Sequence, residues 1–139
     1  MYGNGNMPLG QRGEMNEQVS TKIDAKQIQR MLGKHKKKMK LSMGVCARCS
    51  LCAESCFLFS LNNNDPRYMP SYKFINSIGI LYKKKGKVSE AELEEIKVNV
   101  WERCVLCTRC YCPFGIDIPS MITLARNICR SQGVFPSYE

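Results

Sequence analysis

The stretch CVLCTRCYCPFGIDIP, residues 104–119, contains four cysteines within nine residues, and proline follows the last of them. A second cysteine-rich stretch, CARCSLCAESC at residues 46–56, has the spacing C-x2-C-x2-C-x3-C. A short loop with a cysteine at every third residue can wrap its sulfur atoms around one face of an iron–sulfur cube. The two stretches therefore predict two iron–sulfur sites and decide the expected fold.

The fourth cysteine of each stretch is expected to cross over to the other site, as it does in two-cluster ferredoxins. The resulting interlaced assignment gives the first [4Fe-4S] cluster the ligands Cys46, Cys49, Cys52 and Cys112. The second [4Fe-4S] cluster then takes the ligands Cys104, Cys107, Cys110 and Cys56. Because the same two loops hold both clusters, the clusters are expected to lie close enough to exchange single electrons.

Zinc is the alternative metal for these cysteines. Structural zinc sites usually combine separated C-x2-C pairs rather than four cysteines in one run. Sulfur coordination alone does not distinguish zinc from iron–sulfur clusters. The alternative interpretation is therefore a zinc-stabilised binding module that contacts RNA or an acidic protein.

Composition favours a cytoplasmic protein. Nine cysteines in 139 residues would also suit a secreted disulfide scaffold, but residues 1–18 contain no apolar segment of the signal-peptide type. No stretch approaches the roughly 20 apolar residues of a membrane span. We therefore expect a reducing cytoplasmic environment, with any membrane association arising through partner subunits or peripheral contact.

The formal net charge of +9 comes largely from two lysine-rich runs, residues 34–40 and 83–87. Such runs are usually solvated, but they can also steer an acidic electron-transfer partner or lie at an anionic membrane surface. No recognisable nucleic-acid-binding motif accompanies the charge. We therefore do not expect nucleic acid as a partner.

Apolar spacing predicts an all-α chain. Residues 1–20 are predicted to form a flexible N-terminal arm, residues 21–44 a basic N-terminal helix, and residues 137–139 a tail. Between them, residues 45–136 form the expected two-cluster domain.

Three further helices are predicted within that domain. One covers residues 71–82, with a stop near Gly86. A second begins after a capping box of Ser89 and Glu92 and continues to Trp101. A third begins near Asp117 and ends near Gly133.

The cysteine stretches and the segments DPRYMP, CPFGIDIP and SQGVFP together resemble the iron–sulfur module of heterodisulfide reductase-related proteins. This group includes heterodisulfide reductase subunits C and D, the K subunit of the sulfite-reductase-associated membrane complex, and iron–sulfur subunits of glycolate and glycerol-3-phosphate oxidation systems. The resemblance covers about residues 45–136. It implies an α-helical ferredoxin-like fold with two [4Fe-4S] clusters.

The chain departs from this group at Cys112. The second motif usually ends C-x3-C-P, whereas here Cys110 and Cys112 are separated by one residue. Three interpretations remain open. Cys112 crosses to the first cluster by a tighter backbone path, the first cluster uses another ligand or is incomplete, or the two cysteines share a non-cubane ligation.

The resemblance implies an electron-transfer subunit of a multisubunit oxidoreductase, of the kind found in anaerobic metabolism. The expected partners are a CCG-domain protein, a flavoprotein or a membrane cytochrome b. Longer relatives carry CCG motifs for disulfide or quinone chemistry, and this sequence contains none. No catalytic residue is therefore predicted on this chain, and Cys129 is expected to be a small buried side chain.

Overall fold

A computed structural model of the protein describes residues 23–138. Residues 1–20, the predicted flexible arm, lie outside the described residues. No β-strand occurs within the described range, so the all-α prediction is confirmed. Its α-helices are α1 (Ala25–Gly33), α2 (Lys36–Val45), α3 (Phe57–Leu61), α4 (Pro70–Ile75), α5 (Ile78–Lys83), α6 (Glu90–Lys97) and α7 (Ile118–Ser131).

The basic N-terminal segment forms two helices, α1 and α2, where the sequence predicted one. The break follows Gly33, whose missing side chain makes it a weak helix former. Asp24 caps α1 by accepting a hydrogen bond from the backbone N–H of Gln27 at 3.1 Å. Gln132, just beyond α7, accepts a hydrogen bond from the backbone N–H of Asp24 at 2.7 Å and donates to the side chain of Gln27. The N-terminal helix is thereby attached to the C-terminal end of the domain.

The helix predicted over residues 71–82 is also divided, into α4 and α5. Two polar side chains at the break bond to carbonyl groups four residues earlier. Asn76 donates to the Tyr72 carbonyl at 2.9 Å, and Ser77 donates to the Lys73 carbonyl at 2.6 Å. Side chains that bond to the backbone in this way compete with the regular helical pattern. The apolar spacing nevertheless holds across the break, because Phe74, Ile78 and Leu81 are all buried.

The capping box predicted before α6 is present. Ser89 accepts a hydrogen bond from the backbone N–H of Glu92, whose carboxylate accepts one from the backbone N–H of Ser89. After Lys97 the helix continues as a π-helical segment, Val98–Glu102, which places Trp101 in the core. This segment leads directly into the second cysteine loop.

The core lies between α7 and the helices α4, α5 and α6, each of which packs against α7. The final helix contributes a buried face, and Asp117 caps it by accepting a hydrogen bond from the backbone N–H of Ser120. Apolar residues of α7 form that face and are buried: Ile122, Leu124, Ala125 and Ile128. No helix within residues 23–138 is long and apolar enough to cross a membrane.

Candidate iron–sulfur centre

The two cysteine-rich stretches form loops, which we call the first loop (residues 46–56) and the second loop (residues 104–112). Both loops have the same unusual backbone conformation. In the first loop Arg48 and Ser50 adopt left-handed backbone angles, with φ of 54° and 66°. In the second loop Leu106 and Thr108 do the same, with φ of 56° and 63°. These residues occupy equivalent positions, two after the first cysteine and one after the second. Both C-x2-C-x2-C segments therefore fold as local repeats of one another.

Left-handed backbone is unfavourable for residues with a side chain, at a cost of about 1–2 kcal/mol each. Two such residues in each loop indicate that the loops are held in place by something other than local backbone preference. Strain of this kind clusters at functional sites, where the surrounding structure maintains it. Here it turns the chain twice within seven residues, so that the loop curves around its cysteines.

A cavity lies inside the first loop, and we call it the first cavity. It is bordered by four cysteines, which are Cys46, Cys49, Cys52 and Cys112. Three of them come from the first loop, and Cys112 comes from the second. The floor is formed by Ser71 and Phe74 of α4 and by Ile118 of α7.

A second cavity lies inside the second loop. It is bordered by the remaining four cysteines of the two stretches, which are Cys56, Cys104, Cys107 and Cys110. Cys56 comes from the first stretch, where it immediately precedes α3. Lys73 of α4 and Ile122 of α7 complete the wall. The two cavities thus contain the two sets of cysteines that the interlaced assignment named, and the role of these cysteines as ligands stays a prediction.

The walls of both cavities suit iron–sulfur clusters. Neither wall contains a histidine or carboxylate side chain among the described residues, so sulfur is the strong donor in each. Four cysteine sulfurs are the usual ligand set of a [4Fe-4S] cluster. Within residues 23–138, no three Cys, His, Asp or Glu side chains lie in an arrangement that could hold a single metal ion.

The short spacing between Cys110 and Cys112 occurs at the crossing between the cavities. Tyr111, the residue between them, donates its backbone N–H to Ser55 Oγ at 3.0 Å. After Cys112 the chain turns at once, because the N–H of Gly115 donates to the Cys112 carbonyl at 3.0 Å. The tighter backbone path is therefore compatible with Cys112 facing the first cavity, the first of the three interpretations.

Polar groups surround the cysteines of the second cavity. The backbone N–H of Leu106 donates to Cys104 Sγ at 3.4 Å, and Lys73 Nζ donates to Cys56 Sγ at 3.6 Å. Burial, together with neighbouring Cys104 and Cys107, raises the pKa of the Cys110 thiol to about 11. Without metal, the Cys110 thiol therefore favours its protonated form, because burial disfavours its thiolate and neighbouring thiolates would repel it.

Arg126 of α7 positions the start of the second loop. Its Nε donates to the Val100 carbonyl and its Nη2 to the Cys104 carbonyl, both at 2.8 Å. The same guanidinium lies 5.4 Å from the centre of the Trp101 ring. A planar, permanently charged group can satisfy several acceptors at the end of a helix at once. Arg126 thereby links α7, the π-helical segment and the first cysteine of the loop.

Cys129 lies outside both cavities. It is fully buried on α7, as expected of a small apolar side chain. Burial raises the pKa of its thiol to about 12. None of the nine cysteines forms a disulfide bond.

The two lysine-rich runs meet on one surface. Lys36 from the first run and Lys83 and Lys85 from the second line a single groove, whose floor includes Leu32 and Met39. No acidic side chain lines this groove among the described residues. We call it the lysine groove.

Sequence reasoning did not identify Lys73, Ser55 or Arg126. Lys73 lies in an apolar helical segment and is only 3% exposed, although lysine is almost never buried without a partner. Ser55 bonds to Tyr111, which is 56 positions away in the sequence. Arg126 bonds to Cys104, which is 22 positions away. Local spacing gives no signal for such contacts.

Comparison with known proteins assigns the family. Residues 45–117 match the 4Fe-4S dicluster domain family. A curated relative, the Hdr-like menaquinol oxidoreductase iron-sulfur subunit 2 of Archaeoglobus fulgidus, is 30% identical over 110 aligned positions, and the match covers 68% of this chain. The chain spans about a fifth of the length of that relative, since the alignment covers 20% of it. No solved structure matches the chain. The family favours iron–sulfur over zinc, and the chain belongs to the 4Fe-4S dicluster domain family as an iron–sulfur module related to heterodisulfide reductase.

Proposed function

We propose that this chain is an electron-transfer subunit that holds two [4Fe-4S] clusters and relays single electrons within a heterodisulfide reductase-like oxidoreductase. The proposal depends on how the cysteines are distributed between the two cavities. Each cavity is bordered by three cysteines of one loop and one cysteine of the other. When bound, [4Fe-4S] clusters supply one-electron transfer at potentials that the surrounding protein adjusts.

The ligand assignment follows the cavities. Cys46, Cys49, Cys52 and Cys112 would hold the first cluster, and Cys56, Cys104, Cys107 and Cys110 the second. The protein's contribution is to maintain the distance between the two sites. Crossing ligands and the hydrogen bond between Ser55 and Tyr111 keep the two loops in one fixed arrangement. A fixed separation suits passage of an electron from one site to the other.

Each site has one exposed side. Cys49 and Cys107, the middle cysteine of each loop, are exposed, whereas Cys52, Cys56 and Cys104 are buried. A redox partner can therefore approach each site at its middle cysteine without opening the fold. One exposed side would accept electrons and the other would release them.

The proposed partners are other subunits of a redox complex. The curated relative is named as a subunit of a menaquinol oxidoreductase, which supports a complex in which a CCG-domain protein, flavoprotein or membrane cytochrome exchanges electrons with this chain. The lysine groove provides a surface for an acidic segment of such a subunit, because three lysines from the two runs line it. Membrane association would then arise through the complex.

Metal analysis of anaerobically purified protein tests the proposal. Two cubes predict about eight irons and about eight inorganic sulfides per chain, with brown colour. Electron paramagnetic resonance of the dithionite-reduced protein should show signals from both clusters. Two zinc ions per chain in a colourless protein would overturn the proposal. Purification of the chain from its native cells should also recover a flavoprotein, a CCG-domain protein or a b-type cytochrome in fixed stoichiometry.

A further inference from the structure

Lys73 is a buried cation at the second cavity. It lies on α4, its residue is 3% exposed, and its Nζ is 3.6 Å from Cys56 Sγ. Burial of a charged group is unfavourable unless charges of opposite sign or hydrogen bonds compensate it. The partner that the structure provides is the sulfur of a proposed crossing ligand.

No carboxylate neutralises Lys73 within residues 23–138. The ion pairs in this range involve other lysines and one arginine, and they lie at the surface. Four cysteine thiolates around an iron–sulfur core carry net negative charge, and that charge would compensate the ammonium group. The position of Lys73 therefore has a physical explanation if the second cavity holds an anionic group.

No residue equivalent to Lys73 lines the first cavity among the described residues. The residues of α4 that face it are Ser71 and Phe74, both uncharged. Its wall includes one cationic residue among those described, Arg48, and that residue is exposed. Water and salt screen an exposed charge far more than a buried one. The two cavities therefore differ in electrostatic environment although their cysteine sets match.

We propose that Lys73 raises the reduction potential of the second cluster above that of the first, so that Lys73 sets the direction of electron flow. This inference rests on the proposed function, because it requires both clusters. An added electron increases the negative charge of the second site, and the nearby ammonium stabilises that charge. One electron then leaves the first site, which is oxidised, and reduces the second, with no bond made or broken. Lys73 acts only through its charge and does not itself carry the electron.

The test is a redox titration of the cluster-loaded chain at a single pH, followed by electron paramagnetic resonance. Lys73→Met removes the charge at similar length, and Lys73→Arg is the matched control that retains it. Lys73→Met should lower the midpoint potential of the second cluster by at least the equivalent of a tenfold change in its reduced-to-oxidised ratio, about 59 mV for one electron. The potential of the first cluster should change much less, and Lys73→Arg should remain close to wild type.

Two single-cluster variants assign the signals. Cys112→Ser should retain the second cluster, and Cys56→Ser the first. In otherwise wild-type protein, the cluster retained in Cys112→Ser should have the higher potential. This comparison requires no change at Lys73, so it still decides the proposal if Lys73→Met loses the second cluster. Lys73→Gln, which keeps a hydrogen-bond donor without the charge, should behave like Lys73→Met.

The outcomes separate the two proposals. Wild-type chain with about eight irons, but with unchanged potentials in Lys73→Met and Lys73→Gln, overturns the role of Lys73 and leaves the two-cluster function intact. A higher potential for the cluster retained in Cys56→Ser also overturns it. Wild-type chain without iron overturns the function itself.

Discussion

Ser55 Oγ accepts a 3.0 Å hydrogen bond from the backbone N–H of Tyr111, across 56 positions of the sequence. Ser55 Oγ also donates to the Cys52 carbonyl at 2.8 Å. Tyr111 lies between Cys110 and Cys112, which border different cavities. The hydrogen bond from Tyr111 to Ser55 therefore connects the two loops at the point where the chain passes from one proposed cluster to the other.

Replacement of Ser55 by alanine should weaken this connection. The loss of the hydrogen bond between the loops is expected to cost about 1 kcal/mol, which lowers the midpoint of thermal unfolding by a few degrees. Iron should also leave the first site faster in the presence of a chelator, because Cys112 follows the anchored residue. Ser60→Ala, at an exposed serine on α3, is the control and should match wild type. Equal rates of iron release in the two variants would contradict the role of Ser55.

Substitution of single cysteines should divide the iron content. Cys112→Ser and Cys56→Ser should each reduce it from about eight to about four per chain, and the two variants should lose different paramagnetic signals. The reason is that each crossing cysteine borders a different cavity. Cys129→Ala should retain both clusters, since Cys129 lies outside both cavities. Loss of the same signal in both serine variants would disprove the pairing.

Gly86→Ala should destabilise the attachment of α1. Gly86 has a φ of +79°, and an added Cβ would lie 3.0 Å from Ile28 Cγ2 and 3.2 Å from the Ala25 carbonyl oxygen. The backbone strain alone should cost about 1–2 kcal/mol. Thermal unfolding followed by circular dichroism should show a midpoint several degrees lower.

Gly33→Ala is the matched control for Gly86→Ala. An added Cβ at Gly33 would meet nothing within 4 Å, and Gly33 is the last residue of α1. Alanine favours a helix over glycine by up to about 1 kcal/mol. The midpoint should therefore stay the same or rise, and a decrease equal to that of Gly86→Ala would contradict this account.

Cys129 should make the fold sensitive to alkaline pH. Burial raises the pKa of its thiol from 9.0 to about 12, so the folded state retains a proton that the unfolded state loses first. The protonated Cys129 thiol therefore contributes fully to the free energy of unfolding below pH 9. This contribution is lost as the pH rises toward 12. Between these values the loss is at most about 1.4 kcal/mol per pH unit.

Paired measurements isolate this effect from other groups that titrate in the same range. The difference in unfolding midpoint between wild type and Cys129→Ala should decrease as the pH rises above 9, the ordinary pKa of the thiol. In native wild-type chain at pH 9, iodoacetamide should leave Cys129 unmodified by mass spectrometry, whereas in urea it should react. Rapid native alkylation would show that Cys129 is accessible.

Several elements could be predicted from sequence because their signals are local. The capping box at Ser89 and Glu92 satisfies backbone groups within one helical turn, and the structure contains it. Apolar residues at helical spacing, such as Leu93 and Ile96, are buried as expected. The breaks after Gly33 and at Asn76 and Ser77 were not predicted, because apolar periodicity continues across both. Glycine's weak helix preference interrupts the first helix. Side-chain hydrogen bonds to the backbone interrupt the second.

The sequence by itself indicated sulfur as the donor in both sites and an all-α fold, since cysteine spacing and apolar periodicity are local signals. It left open how Cys112 is used and which charges lie near each site. Tertiary structure alone brought Cys112 to the first cavity, Cys56 and Lys73 to the second, and Ser55 to Tyr111. These groupings bring together positions up to 66 residues apart, and they depend on how α4 and α7 pack, which spacing within a single loop does not encode.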